Sequence, residues 1–170
     1  MPEVDRLIAA FGSRGKRNHS TWKLNVLTDL GHIDDPRVVP FLVMVVMDAE
    51  EPSDVRIDAL RRLRESSLHP GDRDLVASAG LQALARESDG QIRLHAAIIL
   101  GDFVTIDGVF DALSRVLADA GEPVELRYNA FTSLQRAGPT TSCTEMLRAL
   151  TADETFGASV RALLDSWGVA

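Results

Sequence analysis

Apolar residues recur along the chain with the spacing of one face of an α-helix, and the pattern returns five times. In the first four copies an apolar residue precedes a basic one, and apolar residues follow three, four and seven positions after it. This spacing places all four apolar positions on one stripe of a helix with 3.6 residues per turn. The five basic residues are Lys23, Arg56, Arg93, Arg127 and Arg161.

The basic residues are separated by 33, 37, 34 and 34 positions, a nearly fixed period that is typical of helical solenoids. Only the last copy departs from the pattern, with Asp165 and Gly168 in apolar columns. A terminal repeat has no following neighbour to bury against, so polar residues are expected there.

A second helix is predicted in each interval between these copies, because cap-like residues and turn breakers such as Pro36 divide the chain into segments of helical length. No window alternates with period two, so no sheet is expected. The intervening helices are predicted over about 36–48, 72–86, 107–117 and 143–150. The whole chain, 1–170, is predicted to be one domain with repeats at about 1–33, 34–69, 70–104, 105–138 and 139–170.

The recurring residues resemble HEAT repeats, particularly the short bacterial HEAT-like type also found in phycobilisome lyases. The resemblance rests on Asp35-Pro36 with Val38 to Leu42, on Asp54-Val55-Arg56 with Ala59 and Leu63, and on Ile92-Arg93, Ala96-Ala97 and Leu100-Gly101. It covers almost the whole chain and implies an all-α, right-handed solenoid (superhelix) of about five HEAT-like helix pairs. The pattern is specific for fold and weak for function, because the same fold serves adaptors, lyases and some enzymes.

The repeated bases are predicted to be structural, although a row of arginines could also bind phosphate. The resemblance implies that each base pairs with an acidic residue in the preceding turn. Asp48, Asp119 and Asp153 lie eight residues before Arg56, Arg127 and Arg161, whereas Arg93 would have to use Glu87 or Asp89.

His95 lies two positions after its base, roughly opposite the apolar stripe, and is predicted to be exposed with its counterparts in the other repeats. The resemblance implies that these helices line the inner, concave face of the array. The predicted partner-binding residues on that face are Asn25, Asp58, Arg61, His95, Tyr128, Asn129 and Thr132. The alternative is an ordinary solvated surface, since exposed residues of each type are common.

Eighteen basic against 25 acidic residues give the chain a net charge of -7, which disfavours nucleic acid as a partner. Residues 1–31 are nevertheless basic, with five Lys/Arg against three Asp/Glu. Arg14, Lys16 and Arg17 in a predicted loop form a possible contact for an anion or a partner.

No catalytic, metal-binding or cofactor motif is recognisable. Cys143 is the only cysteine, the four histidines are scattered, and a catalytic role for His95 with Asp58 would need a nucleophile that the pattern does not provide.

Without a signal-like start or a membrane-length apolar run, the chain is expected in the cytoplasm, away from membranes. It is predicted to be a non-catalytic protein-binding scaffold with no cofactor or metal and an unknown protein or peptide partner. A lyase-like or other small-ligand-binding protein is the alternative, and a nucleic-acid module is less favoured.

Overall fold

A computed structural model of the chain describes residues 3–13, 20–66, 68–69 and 71–169. These residues form ten α-helices, with no strand in the described ranges. The α-helices are α1 (Glu3–Ser13), α2 (Ser20–Leu30), α3 (Val38–Met47), α4 (Ser53–Glu65), α5 (Asp72–Arg86), α6 (Gly90–Leu100), α7 (Val109–Ala118), α8 (Val124–Leu134), α9 (Thr141–Ala149) and α10 (Gly157–Ser166). Short 3-10 helices follow α6 at Gly101–Phe103 and α8 at Gln135–Ala137.

The helices form five consecutive pairs, and the predicted all-α solenoid is confirmed. Each odd-numbered helix packs against the even-numbered helix that follows it. At each boundary between consecutive pairs from α2 to α8, the two even-numbered helices pack against each other more closely than the two odd-numbered helices do. The even-numbered helices therefore form the inner, concave side, and the odd-numbered helices form the outer side.

The apolar stripe of each even-numbered helix is buried and joins one continuous core. In α2 the stripe residues Val26, Leu27 and Leu30 are almost fully buried, and the equivalent residues of α4, α6 and α8 are buried in the same way. Burial of these stripes, and not the helix propensity of each segment, supplies most of the stability of such short helices.

Helix α3 begins at Val38, two residues later than the proline pattern predicts. Asp35 Oδ1 accepts a hydrogen bond from the Arg37 backbone N at 3.0 Å, which holds Pro36 in a turn ahead of the helix. Bonds from Arg37 also lower the pKa of the Asp35 carboxyl to about 2. Pro40 falls in the first turn of α3, where its missing N–H has no helical partner to lose.

The basic residue of each of the first four repeats bonds across the boundary to the next repeat, whereas Arg161 of the last repeat donates to the Thr151 carbonyl of its own repeat. Lys23 pairs with Glu51 at 2.6 Å, Arg56 pairs with Glu87, Arg93 pairs with Glu122 at 2.6 Å and Arg127 pairs with Asp153 at 2.5 Å. Three of the arginines also donate through Nε to a backbone carbonyl of their own repeat, at Val46, Leu84 and Leu117. We call this series of bonds the ladder.

The predicted pairing with an acidic residue of the preceding turn is wrong. Arg56 Nε donates to a carbonyl of its own repeat, and its terminal nitrogen reaches Glu87 of the next repeat. Asp48, Asp119 and Asp153 each accept a backbone N–H two residues further on, at 2.8 to 3.0 Å, and so hold turns between helices. Only Asp153 also binds a ladder arginine, and this is Arg127 of the preceding repeat.

Candidate functional site

All seven predicted partner-binding residues lie on the even-numbered helices, but they do not form one site. Asn25, Arg61, Tyr128 and Thr132 are exposed, whereas Asp58, His95 and Asn129 are half-buried. Arg61 and His95 meet in a groove between α4 and α6, and Tyr128 and Asn129 line a second groove between α6 and α8. Asn25 and Thr132 line neither groove.

The α4–α6 groove has a volume of about 330 Å³. Successive turns of α4 contribute Arg61 and Arg64, and α6 contributes His95 from the facing side. Apolar side chains of Leu60, Ile98 and Ile99 and the carboxylate of Glu65 complete its lining. The groove therefore combines an apolar lining with charged groups, as small-ligand sites commonly do.

His95 and Arg61 are electrostatically coupled. Partial burial lowers the pKa of the His95 imidazole from its usual value, and the positive charge of Arg61 lowers it further. Both effects favour the neutral imidazole, in which one ring nitrogen donates a hydrogen bond and the other accepts one. The Arg61 guanidinium makes no hydrogen bond or ion pair with the described part of the chain, so its donors are available to a ligand.

Arg64 also belongs to a cluster of three arginines, with Arg73 and Arg136, that surrounds Asp102 beside this groove. Arg64 Nε lies 3.5 Å from Asp102 Oδ2, Arg136 pairs with the same carboxylate, and Arg73 donates to the Asp102 carbonyl at 3.0 Å. The Asp102 carboxylate thus faces two guanidinium groups while a third binds its backbone carbonyl, which leaves an excess of positive charge here in a chain of net charge -7.

Sequence reasoning missed these groups around Asp102, although the repeat alignment contains a signal. Asp102 and Arg136 both lie nine positions after the base of their repeats, and Arg64 lies eight after Arg56. If the alignment of the repeats is extended by two positions beyond the last residue of the apolar stripe, Arg64, Asp102 and Arg136 fall in adjacent columns.

Asp58 is engaged within the protein. Its Oδ2 accepts a hydrogen bond from Arg62 Nε at 2.6 Å, and Arg62 also donates to Thr28 Oγ1 at 2.8 Å. This chain of bonds joins α4 to α2 on the concave side. Asp58 therefore links two repeats and is not a free acceptor for a ligand.

The α6–α8 groove is wider and more open, with a volume of about 610 Å³. Leu94 on α6 faces Val124 and Tyr128 on α8, and the Tyr128 side chain is 59% exposed. Gln91, Glu125 and Asn129 supply its polar groups. No buried charge is directed into this groove from its lining, so it has fewer fixed contacts than the α4–α6 groove.

The predicted basic contact at Arg14, Lys16 and Arg17 lies outside the described residues. In the ranges that the structure does describe, no three His, Cys, Asp or Glu side chains are placed to hold a metal ion together. None of the described helices has the length and apolar character needed to cross a membrane.

Comparison with protein-family models gives no match, and no curated protein matches the chain. Membership of the HEAT family therefore stays a prediction. Among solved structures, the chain is similar to human deoxyhypusine hydroxylase in complex with glycerol. The likeness has a TM-score of 0.35 and 16% sequence identity, and it covers 100% of this chain and 92% of that chain.

The predicted non-catalytic protein-binding scaffold is wrong on this comparison, because the solved protein is an enzyme. The likeness is too loose to transfer that protein's activity or its functional residues to this chain. What this chain does is therefore argued from the residues of its own grooves.

Replacing Arg61 by Gln should raise the pKa of His95, because it removes the nearby positive charge that disfavours the imidazolium. Proton NMR of the imidazole against pH measures this directly. Arg86→Gln is the matched control, since Arg86 is exposed on α5 and does not line the groove. An unchanged His95 titration in Arg61→Gln would show that the two groups are not coupled.

Proposed function

We propose that the α4–α6 groove binds a small anionic ligand through Arg61 and His95. The observation that carries this proposal is the Arg61 guanidinium, which has no partner in the described part of the chain and lines a groove beside a neutral imidazole. This small-ligand function, the alternative that the sequence offers, replaces the predicted protein-binding scaffold.

Arginine favours an anion with two oxygens on one face, because its planar group offers parallel N–H donors that match a carboxylate or a phosphate. Leu60 and Ile99 are buried beneath Arg61 and His95, which keeps water away from one side of the groove. Reduced access of water strengthens a charge-assisted hydrogen bond at this position. Arg64 adds a second positive group one turn along α4.

The size of the groove and the net charge of the protein favour a small anion over a polyanion as the ligand. The groove of about 330 Å³ suits a ligand of small-molecule size. The net charge of -7 repels an extended phosphate backbone, whereas a single anion can be held by the local positive groups.

His95 is the titratable group that such a ligand would meet beside Arg61. A bound anion next to the imidazole would favour its protonated form and raise its pKa. The side chains that line the groove include no serine, threonine, cysteine or lysine, so they offer no conventional nucleophile. The proposal is therefore ligand binding, with His95 as the group able to donate or accept a proton.

The test is titration of the protein with citrate and with inorganic phosphate at low ionic strength, followed by calorimetry and by the NMR signals of His95. Arg61→Gln is expected to weaken binding roughly tenfold or more, since it removes a charged hydrogen-bond donor. Arg86→Gln, which makes the same change of charge outside the groove, should bind as the unmodified protein does.

Binding of either anion should also raise the pKa of His95 in the unmodified protein. Equal affinities in Arg61→Gln and Arg86→Gln would contradict the proposed site. If neither citrate nor phosphate binds, the groove does not recognise these anions and the proposal fails.

A further inference from the structure

Besides the two grooves of the concave side, a pocket opens on the outer side of the array, between α5 and α7. Helix α5 packs closely against α3 but only loosely against α7, which leaves a space of about 450 Å³ at the looser boundary. The C-terminal half of α5 lines one side of this space, and α7 lines the other. This is the opposite side of the array from the α4–α6 groove.

The walls of the pocket are mainly apolar. Leu81 and Leu84 of α5 face Ala112 and Val116 of α7. Leu84 and Val116 belong to the buried core, so the pocket reaches down to the core between the two repeats. Walls of this kind favour the apolar body of a ligand.

The ladder is exposed at this pocket more than at the neighbouring boundaries. The Arg93 side chain is 21% exposed, against 7% for Arg56 and 4% for Arg127. Arg93 and Glu122 are nevertheless fully committed to each other, with two hydrogen bonds of 2.8 and 2.6 Å. Their charges cancel and their hydrogen-bonding groups are used within the pair. The pair therefore forms a polar part of the pocket lining but does not determine which ligand binds.

Arg115 supplies the available charge at the pocket. Its Nε donates to the Asp111 carbonyl of the same helix at 3.2 Å, which places the side chain along α7. Its terminal nitrogens have no partner in the part of the chain that the structure describes. Of the two acidic groups in the lining, Glu122 is paired with Arg93, and Asp119 accepts the Gly121 backbone N–H through Oδ1 at 2.8 Å.

We infer that the α5–α7 pocket binds a small molecule with an apolar body and one carboxylate. The apolar body lies between Leu81 and Val116, and the carboxylate accepts hydrogen bonds from the terminal nitrogens of Arg115. A carboxylate fits the free guanidinium, whereas a cationic group would meet Arg115 and find both Glu122 oxygens already engaged. This inference does not depend on the proposed function of the α4–α6 groove.

The probe is octanoate, titrated below the concentration at which it forms micelles, with octylamine as the probe of opposite charge. We expect octanoate to bind the unmodified protein, to bind Arg115→Gln roughly tenfold more weakly, and to bind Arg86→Gln unchanged. Arg115 and Arg86 are both exposed, so neither variant is expected to disturb folding. Arg61→Gln should leave octanoate binding intact, which separates this pocket from the concave groove.

A second variant tests the apolar part of the pocket. Ala112→Phe places a ring in the space between α5 and α7 and should abolish octanoate binding while the helical circular dichroism is kept. The inference is overturned if octanoate binds Arg115→Gln as tightly as Arg86→Gln, if it is lost in Arg61→Gln instead, or if octylamine binds more tightly than octanoate. Failure of octanoate to bind the unmodified protein overturns it as well.

Discussion

Glu51→Gln is expected to lower the free energy of unfolding by about 3 to 5 kcal/mol, because it leaves the Lys23 ammonium buried without a counter-charge. Lys23 is 1% exposed, and its Nζ lies 2.7 and 2.6 Å from the two Glu51 oxygens. The same Nζ lies 4.6 Å from the centre of the Phe11 ring, so a ring and not water covers it. A neutral amide can satisfy a hydrogen bond there but cannot balance the charge.

Urea unfolding followed by circular dichroism measures this loss. Glu3→Gln is the control, since Glu3 and Arg6 are 3.5 Å apart with both side chains more than 60% exposed. Loss of that pair should cost less than about 1 kcal/mol. Replacing both buried partners, as in Lys23→Met with Glu51→Leu, should restore much of the stability. A single Glu51→Gln variant as stable as Glu3→Gln would show that the buried pair adds nothing.

The architecture could be predicted because it depends on the spacing of apolar residues within each helix and on the repeat period. Each buried stripe, such as Val55, Ala59, Leu60 and Leu63 in α4, is defined by positions within one helix, and the repeat period supplies the order of the helices. The predicted start of α3 is two residues too early, because the Asp35 side chain accepts a hydrogen bond from the Arg37 backbone N–H and the helix begins only after this turn.

The ladder partners could not be predicted, because they depend on where one repeat stands relative to the next. Asp48 lies near Arg56 in sequence, but the Arg56 guanidinium crosses the repeat boundary to reach Glu87. Several carboxylates lie within a few residues of each loop, and sequence spacing alone does not decide which of them a side chain from the preceding repeat will meet.

The candidate sites were predicted only in part for the same reason. Arg61 and His95 were identified because both lie on the inner face of their own helices, and the structure brings them together in one groove. The arginines around Asp102 and the α5–α7 pocket depend on the spacing between repeats. The predicted scaffold function was wrong because an exposed polar row is compatible with several functions and selects none of them.

Leu100→Ala is expected to lower the free energy of unfolding by about 2 to 5 kcal/mol through the cavity that it leaves in the core. Leu100 is fully buried at the end of the α6 stripe. Its Cδ2 would lie only 2.9 Å from a Cβ added at Gly80. The Leu100 side chain therefore packs directly against the backbone of α5 at Gly80. Leu75→Ala on the outer side of α5 is the control, since Leu75 is 38% exposed and its loss should cost much less.

The contact with Gly80 makes a second test possible, in which the sign of one substitution depends on the other. Gly80→Ala alone should destabilise the protein, because the new methyl group would collide with Leu100. In the Leu100→Ala background the same methyl group enters the cavity, and alanine is also favoured over glycine in a helix by roughly 1 kcal/mol. The double variant should therefore be more stable than Leu100→Ala alone, whereas strictly additive effects in the double-mutant cycle would show that Leu100 and Gly80 do not share this space.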